Sequence, residues 1–273
     1  MHTSTKVFIS FIIIILVVHL IYQYLEKEKE KVDSFYELKL THNQLPKINN
    51  TKIIPKNIFM TWCNKDLPPM MKNNLQSIKI SNPDFNLYLY CEEDRKLFIQ
   101  DYFDESVLKA YETLIPGAYK ADLWRLCVLY IYGGIYMDMR FKIDGVHLNS
   151  LLYDEHFVND ISASGSGICN GFMVCKPSNI FLLHCISQIL INVKNKYYGH
   201  KSLCPTGPLL LKNVMENHGY KLNLDLKLKT NPHRIVSSNK EVKVESFDEY
   251  TSERKKHSKN HYNNLWLQKK IYK

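Results

Sequence analysis

The sequence predicts an α/β domain preceded by one transmembrane helix, and three stretches indicate this arrangement. An apolar run near the N-terminus approaches the length that spans a bilayer. Further on, two short apolar strands flank a helix, which is the pattern of a parallel crossover. A third stretch, residues 118–142, reads as a helix that ends at paired glycines and is followed by a buried strand. The chain has 273 residues, of which 45% are hydrophobic, so it is long and apolar enough to fold one such domain.

The N-terminus is predicted to anchor the chain in a membrane. Residues 1–6 form a short tail, and residues 7–25 are apolar enough to cross the bilayer as a single helix. No small-x-small cleavage site follows, which favours an uncleaved signal anchor over a removed signal peptide or a buried core helix. Residues 26–52 begin with EKEKEK and then lack an apolar period, so we expect a stem. Only one lysine precedes the span and three follow it closely, so the basic residues alone place the following domain in the cytosol.

The folded domain is expected over residues 53–273. Its first strand is predicted at residues 58–60, within IPKNIFMTW, and its second at residues 86–90. A helix from Leu67 to about Ile80 joins them, which makes this unit the first crossover of a parallel sheet. Further helices are predicted at residues 106–114 and 180–193.

Residues 118–142, AYKADLWRLCVLYIYGGIYMDMRFK, are the stretch to which function is assigned. Apolar residues recur at helical spacing up to Tyr132, and Gly133-Gly134 end the helix because glycine adopts left-handed backbone without strain. Residues 135–137 read as a buried strand that ends at Asp138. Ligands of open α/β sheets bind outside the carboxyl ends of the strands, so Asp138 is placed to meet a ligand or a metal. A turn residue is the commoner role of an aspartate in this position.

Two charged residues share one face of the predicted helix. Asp122 and Arg125 are three positions apart, so their side chains lie close together. On spacing alone, an ordinary salt bridge and part of a ligand site are both open interpretations.

Charge and cysteine content narrow the classes of partner and of site. The formal net charge is +9, but no nucleic-acid motif accompanies it, so we expect no nucleic-acid partner and read most of the charge as solvated surface. The seven cysteines are widely spaced and contain no C-x-x-C, which argues against a zinc site and against a disulfide scaffold. One bridge among Cys169, Cys175 and Cys204 is compatible with the sequence if the domain is lumenal.

The string A-x-K-A-D-L-W-R-x-x-x-L-Y-x-Y-G-G-I-Y-x-D resembles the sugar-binding region of glycosyltransferase family 32. This family carries a D-x-D motif and includes Golgi α-mannosyltransferases and sphingolipid mannosyltransferases. The match is dense over residues 120–138 and traceable from about Ile53 to the C-terminus. The resemblance implies a GT-A fold, a Rossmann-like α/β domain that binds a nucleotide-diphosphate sugar, here behind a transmembrane helix.

The sequence departs from the family at the motif itself, because Asp138-Met139-Arg140 replaces D-x-D. The resemblance implies that Asp122 and Arg125 hold the donor sugar, and that Asp138 contacts the ribose or sugar and helps to hold a divalent cation, expected to be Mn²⁺. Arg140 cannot ligate a metal, since its guanidinium has no lone pair to donate. Asp144, further on, is a turn residue or a substitute for the missing acid.

Three interpretations of this departure are open. In the first, Asp138, His261 and the diphosphate hold the cation, and Arg140 contacts phosphate. In the second, Arg140 and lysines of the C-terminal tail replace the cation. In the third, the protein binds a nucleotide-sugar or glycan without turnover.

The remaining site residues also follow from the resemblance, each beside a structural alternative. Trp62 matches the tryptophan at the nucleotide base, or is a core residue. Asn170, within N-x-F-x-x-x-x-P, points at the reacting sugar, or forms a hairpin turn with Gly171. In C-P-T-G-P, Thr206 and Gly207 line the acceptor side, or form a turn and helix cap. In HYNNLW, which resembles the family's H-x(4)-W, His261 closes the metal site and Trp266 lies on the donor side; a surface histidine is the alternative.

With the predicted anchor, the resemblance implies a membrane-anchored retaining glycosyltransferase whose catalytic set is Asp138, Asp122, Arg125 and Asn170. It would move mannose, galactose or N-acetylglucosamine from a nucleotide-diphosphate sugar to a glycan or glycolipid acceptor. The resemblance implies a single-pass type II protein of a Golgi or ER-type membrane, against the lysine count. The alternative is a catalytically impaired binding module, because the second acid of the motif is Arg140.

Overall fold

The structure is a computed structural model that describes residues 19, 20, 23, 54–63, 66–143, 147–160, 167–229, 234–237, 241–243, 250, 252 and 261–273. The predicted tail, transmembrane helix and stem fall almost wholly outside the described residues and stay predictions. The chain divides into two compact units, residues 1–39 and 40–273; in the first, the described residues His19, Leu20 and Gln23 are helical and exposed. None of the helices that the described residues form is both long and apolar enough to cross a membrane.

A mixed sheet is the framework of the second unit. Its described strands are β1 Asn57–Thr61, β2 Asn86–Tyr90, β3 Gly134–Met137, β4 His156–Asp160, β5 Gly167–Cys175, β6 Leu226–Lys229, β7 Arg234–Val236 and β8 Glu241–Lys243. They lie in the order β2-β1-β3-β5-β4-β6-β7-β8. β1 is parallel to both β2 and β3, and β4 is parallel to β6, whereas β5 runs antiparallel to β3 and β4. The α/β class and the parallel first crossover are therefore confirmed.

Helices cover this sheet, and several begin where the sequence supplies a cap. They are α1 Pro69–Ser81, α2 Glu92–Tyr102, α3 Glu105–Thr113, α4 Gly117–Tyr132, α5 Ile180–Lys194, α6 Pro208–Asn217 and α7 Tyr262–Leu267. α1 starts on a proline, whose missing N–H costs nothing in the first turn. The Asp104 side chain accepts the N–H groups of Ser106 and Val107 in the first turn of α3, and the Asn179 side chain accepts the Leu182 N–H in the first turn of α5.

Helix α4 is buried on nearly every side, so its charged residues need partners. Trp124 is fully buried, and α4 packs against α5. The helix ends at Gly133, whose φ is +60°, and a Cβ there would lie 2.6 Å from the Pro177 ring. A charged side chain on so buried a helix must be paired, since an isolated buried charge is costly. Asp122 and Arg125 are both buried.

The antiparallel strand β5 brings a distant part of the chain to the end of β3. Met137 pairs with Phe172, and the Asp138 N–H donates to the Gly171 carbonyl at 2.8 Å. Asn170 and Gly171 both lie within β5, so the interpretation of this dipeptide as a hairpin turn is wrong. All seven cysteines are among the described residues, and no disulfide joins any of them.

Candidate functional site

A cleft of about 500 Å³ opens where β1, β3, β4 and β6 end. These strands point the same way, so their carboxyl ends meet at one edge of the sheet, where ligands of open α/β sheets bind. Its volume lies within the range typical of small-molecule sites. A second cavity of about 490 Å³, beside β2 and α2, is lined by none of the predicted site residues.

The structure brings most of the predicted residues together in this cleft. The predicted residues that line it are Trp62, Asp122, Arg125, Asp138, Arg140, Asn170, Gly207 and His261. Thr206 is fully buried behind it and reaches it through a hydrogen bond to Asp122. The structure places Trp266 elsewhere: its indole N–H donates to the Tyr198 carbonyl at 2.7 Å, and it is not among the lining residues.

Asp122 accepts two hydrogen bonds from distant parts of the chain and forms an ion pair with Arg125 on its own helix. Thr206 Oγ1 donates to Oδ2 at 2.8 Å, and Asn170 Nδ2 donates to Oδ1 at 2.9 Å. Arg125 Nη2 lies 3.3 Å from Oδ1. Burial raises the pKa of Asp122 to about 6, against the opposing effects of Arg125 and Thr206. The carboxylate is thus fixed in orientation, ionised at pH 7 and protonated as the pH falls below about 6.

Arg125 joins the two predicted acids into one unit. Its Nη1 donates to Asp138 Oδ1 at 3.2 Å and to the Asn170 carbonyl at 2.8 Å. The guanidinium lies over the Tyr136 ring, 4.5 Å from its centroid. The interpretation as an ordinary i,i+3 salt bridge therefore covers only one of its contacts, because the same side chain ties α4 to the end of β3 and to β5.

Asp138 accepts hydrogen bonds on one oxygen and forms an ion pair through the other. Oδ1 accepts from the Tyr136 hydroxyl at 2.8 Å as well as from Arg125, and Oδ2 lies 3.4 Å from Arg140 Nε. The side chain is 23% exposed, so it faces the cleft while bonded to its walls.

Gly171 leaves the space that Asp138 and Arg140 occupy. A Cβ on Gly171 would lie 2.6 Å from Asp138 Oδ2 and 2.9 Å from Arg140 Nη2. Both contacts are too short for a real Cβ, so any other residue would displace one of the two side chains. No pattern in the sequence predicts this role of Gly171, because the close approach depends on how β5 pairs with β3.

Sequence reasoning also missed other lining residues. Asp160 is the last residue of β4, much as Asp138 directly follows β3, and it is buried at the same edge of the sheet. Ligands bind at the carboxyl ends of strands, so a prediction of β4 from the sequence would also have marked Asp160 as a candidate site residue. Arg95, also buried, donates from Nη1 to Thr61 Oγ1 at 3.0 Å, and Tyr250 packs against Trp62 with ring centroids 5.8 Å apart.

The residues of the cleft do not fit the cation site of a D-x-D motif. The two oxygens of Asp138 already face two guanidiniums and a hydroxyl, and Arg140 stands where the second carboxylate would be. His261 begins α7, where its Nδ1 accepts the Asn263 N–H at 3.3 Å. Within the described part of the chain, no three His, Cys, Asp or Glu side chains are grouped to hold a metal. Asp144 lies outside the described residues.

A family of known proteins matches the part of the chain that contains the site. Residues 68–160 match the family described as "Glycosyltransferase sugar-binding region containing DXD motif", and this stretch contains Asp122, Arg125 and Asp138. The chain belongs to this DXD glycosyltransferase family. Members generally bind a divalent metal, so Arg140 sets this chain apart at the motif that names its family.

Several relatives of this family member are named mannosyltransferases. Inositol phosphoceramide mannosyltransferase 3 of Schizosaccharomyces pombe is 30% identical over 186 residues, 67% of this chain and 49% of the relative. Mannosyl phosphorylinositol ceramide synthase CSH1 of Saccharomyces cerevisiae is 28% identical over 172 residues, 61% and 44% of the two chains. The chain spans about half the length of the relatives it matches.

Among solved structures, the PaToxG glycosyltransferase aligns with a TM-score of 0.49 and 17% identity, over 72% of this chain and 78% of that one. A likeness at this level carries no inference about activity.

Proposed function

We propose that the protein is a retaining glycosyltransferase of GT-A fold that transfers mannose from a nucleoside-diphosphate sugar to a glycolipid acceptor. One observation carries the proposal: Asp122, Arg125 and Asp138 form a single bonded unit at the carboxyl ends of the strands, inside the stretch that matches the sugar-binding region. The mannose donor and an inositol phosphoceramide acceptor are inferred from the names of the relatives.

The arrangement suits recognition of a sugar attached to a diphosphate. Asp122 is a fixed acceptor for sugar hydroxyls, because Thr206 and Asn170 hold both its oxygens. Fixed polar groups of this kind stabilise the transition state without having to reorganise. Trp62 lines the same cleft and is the residue we assign to stacking on the base.

The reaction places two demands on these residues. As the glycosidic bond breaks, positive charge develops on the sugar ring, as in glycoside hydrolysis, and negative charge develops on the diphosphate. The carboxylates of Asp122 and Asp138 would stabilise the positive charge on the sugar ring, and the guanidiniums of Arg125 and Arg140 would stabilise the negative charge on the diphosphate. Attack by the acceptor on the face that the diphosphate leaves gives retention, so no separate nucleophile is required.

The membrane part of the proposal rests on the sequence. Residues 7–25 would hold the enzyme in a Golgi or ER-type membrane, with residues 53–273 in the lumen. The sequon Asn49-Asn50-Thr51 gives a direct test, since only a lumenal stem is glycosylated there. A mass shift that endoglycosidase removes, and that Asn49→Gln abolishes, is expected; an unmodified Asn49 in a membrane fraction that glycosylates other proteins would argue for the cytosolic orientation.

Transfer itself is tested with the full-length protein purified in detergent. GDP-mannose, UDP-galactose and UDP-N-acetylglucosamine are each supplied with inositol phosphoceramide, with Mn²⁺ and with EDTA, and products are read by mass spectrometry. We expect a mannosylated lipid from GDP-mannose and at least about a hundredfold less from Asp138→Asn, the loss typical of a transition-state contact.

The same assay separates the two candidate functions. Nucleotide-sugar binding without product from any donor would support the alternative, a binding module without turnover. The names of the relatives do not favour that alternative.

A further inference from the structure

Four charged side chains form a continuous row along the cleft. Asp122 lies 3.3 Å from Arg125, Arg125 lies 3.2 Å from Asp138, and Asp138 lies 3.4 Å from Arg140. The signs alternate along the row, and the first three side chains are more than three-quarters buried. Charges at this depth are screened little by salt, so their sum affects any ion that enters.

The formal charges of this row sum to zero without a bound cation. Two acids are paired with two guanidiniums, and each guanidinium stays protonated at any pH at which the protein folds. With an acid at position 140, as the D-x-D motif has it, the same row would carry two surplus negative charges. One divalent cation would neutralise that surplus, so Arg140 supplies here what the cation would supply there.

Arg140 contacts three neighbouring side chains. Its guanidinium lies 5.2 Å from the centre of the Phe141 ring, its Nε faces Asp138, and its Nη2 lies 3.8 Å from Cys169 Sγ. The absence of a side chain at Gly171 leaves room for Nη2. The side chain is 34% exposed and lines the cleft.

The remaining donors of Arg140 suit a phosphate. A guanidinium has five N–H donors in a planar fork that matches phosphate oxygens, and the contacts above involve only Nε and Nη2. A cation placed beside Asp138 would instead meet the like charge of Arg140 and compete for an oxygen already paired.

We propose that Arg140 binds the diphosphate of the donor in place of a divalent cation, so that the protein binds nucleoside diphosphates without metal. This inference rests on the proposed function, because it takes a nucleoside diphosphate as the group that enters the cleft. It assigns the second of the three interpretations that the sequence left open, with Arg140 rather than tail lysines as the residue responsible.

The test measures binding of GDP and UDP to the full-length protein by calorimetry, in EDTA and in Mn²⁺. Wild type should bind one of the two with the same Kd in both conditions. Arg140→Asp, which recreates D-x-D, should bind about 10- to 150-fold more weakly in EDTA, the worth of one charge-assisted hydrogen bond, and should recover with Mn²⁺. Arg140→Gln should show the same loss without recovery. Lys72→Asp, the same charge reversal at an exposed position that does not line the cleft, is the matched control and should bind as wild type does.

Three results would overturn the inference, and they differ in what else they affect. Metal-free binding that Arg140→Gln leaves unchanged would show that another residue neutralises the diphosphate, while the proposed function would stand. Wild-type binding that requires Mn²⁺ would show that a cation is used despite Arg140, while the proposed glycosyltransferase function would stand. No binding of either nucleotide in either condition would remove the proposed function as well. Thermal unfolding of each variant checks that it is folded, and if Arg140→Asp does not fold, the loss in Arg140→Gln decides alone.

Discussion

The hydroxyl of Thr206 offers a sharp test of how the buried carboxylate is held. Thr206 is fully buried, and its Oγ1 donates to Asp122 Oδ2 at 2.8 Å. Thr206→Val keeps the shape of the side chain and removes the donor. A hydrogen bond to a charged group contributes about 1.5–3 kcal/mol. The ionised form of Asp122 should lose that amount, while the protonated form should lose much less.

This loss converts directly into a pKa. Because one pKa unit corresponds to about 1.36 kcal/mol, the variant should raise the pKa of Asp122 by about one to two units. The starting value is about 6, so the new value falls at about 7 to 8. If transfer requires ionised Asp122, wild type should lose activity as the pH falls through about 6, and the variant should lose it at a correspondingly higher pH.

Stability should follow the same titration. The folded pKa of Asp122 lies above its ordinary value of 3.8, so the folded state binds more protons between the two values, and stability falls as the pH rises through that window. In Thr206→Val the window extends upward, so the variant should be destabilised by about 1.5–3 kcal/mol at pH 8 and by clearly less at pH 5.

Two assays check these values. Transfer rate against pH gives the acidic limb, and denaturant unfolding at pH 5 and pH 8 gives the stability difference. Thr206→Ser should behave as wild type, and Thr113→Val, which removes an exposed hydroxyl bonded to Lys109, should shift neither quantity. The reasoning would be refuted if Thr206→Val lost activity at the same acidic pH as wild type and was destabilised equally at pH 5 and pH 8.

Three further substitutions test other contacts of the site. Gly171→Ala should cost about 1–3 kcal/mol of stability by overpacking and lower transfer at least tenfold, measured by unfolding and rate, because its Cβ would lie 2.6 Å from Asp138 Oδ2; wild-type activity would contradict that distance. Trp62→Ala should weaken nucleotide binding by about 1–3 kcal/mol in a titration, the worth of base stacking, while Trp62→Phe retains most of it; equal affinities in all three proteins would exclude stacking. Arg125→Lys should lose at least about 1.5–3 kcal/mol of stability, since an ammonium cannot reproduce the fork that joins two acids; an unchanged unfolding midpoint would speak against the bridge.

Residues 118–142 show how much of the structure local sequence can predict. The helix over residues 118–132, its end at Gly133 and the strand that leads to Asp138 are all present in the structure. Each depends on neighbours a few positions away, through helical spacing and glycine at a left-handed position. Asp138 could then be assigned to the cleft, because ligand sites of open α/β sheets lie at the carboxyl ends of strands and only the direction of the strand is needed.

What the sequence could not decide are the contacts between distant segments. Thr206 and Asn170 reach Asp122 across 84 and 48 positions, and no periodicity links them. Asn170 reaches Asp122 from β5, which lies antiparallel beside β3 and also creates the close approach at Gly171. Thr206 reaches it from the loop that precedes α6. The expectations about the anchor and stem fall almost wholly outside the described residues and stay predictions of the sequence alone.

The sequence by itself determined the α/β class, the family resemblance and the identity of the acid, arginine and asparagine residues that share the cleft. Only the tertiary structure decided how they are bonded: that Thr206 holds Asp122 rather than lining the cleft, that Trp266 lies elsewhere, and that Arg140 completes a neutral row of charges. The physical reason is that residue types and local backbone preferences are written along the chain, whereas hydrogen bonds and charge balance depend on distances that only the pairing of strands and the packing of helices fix.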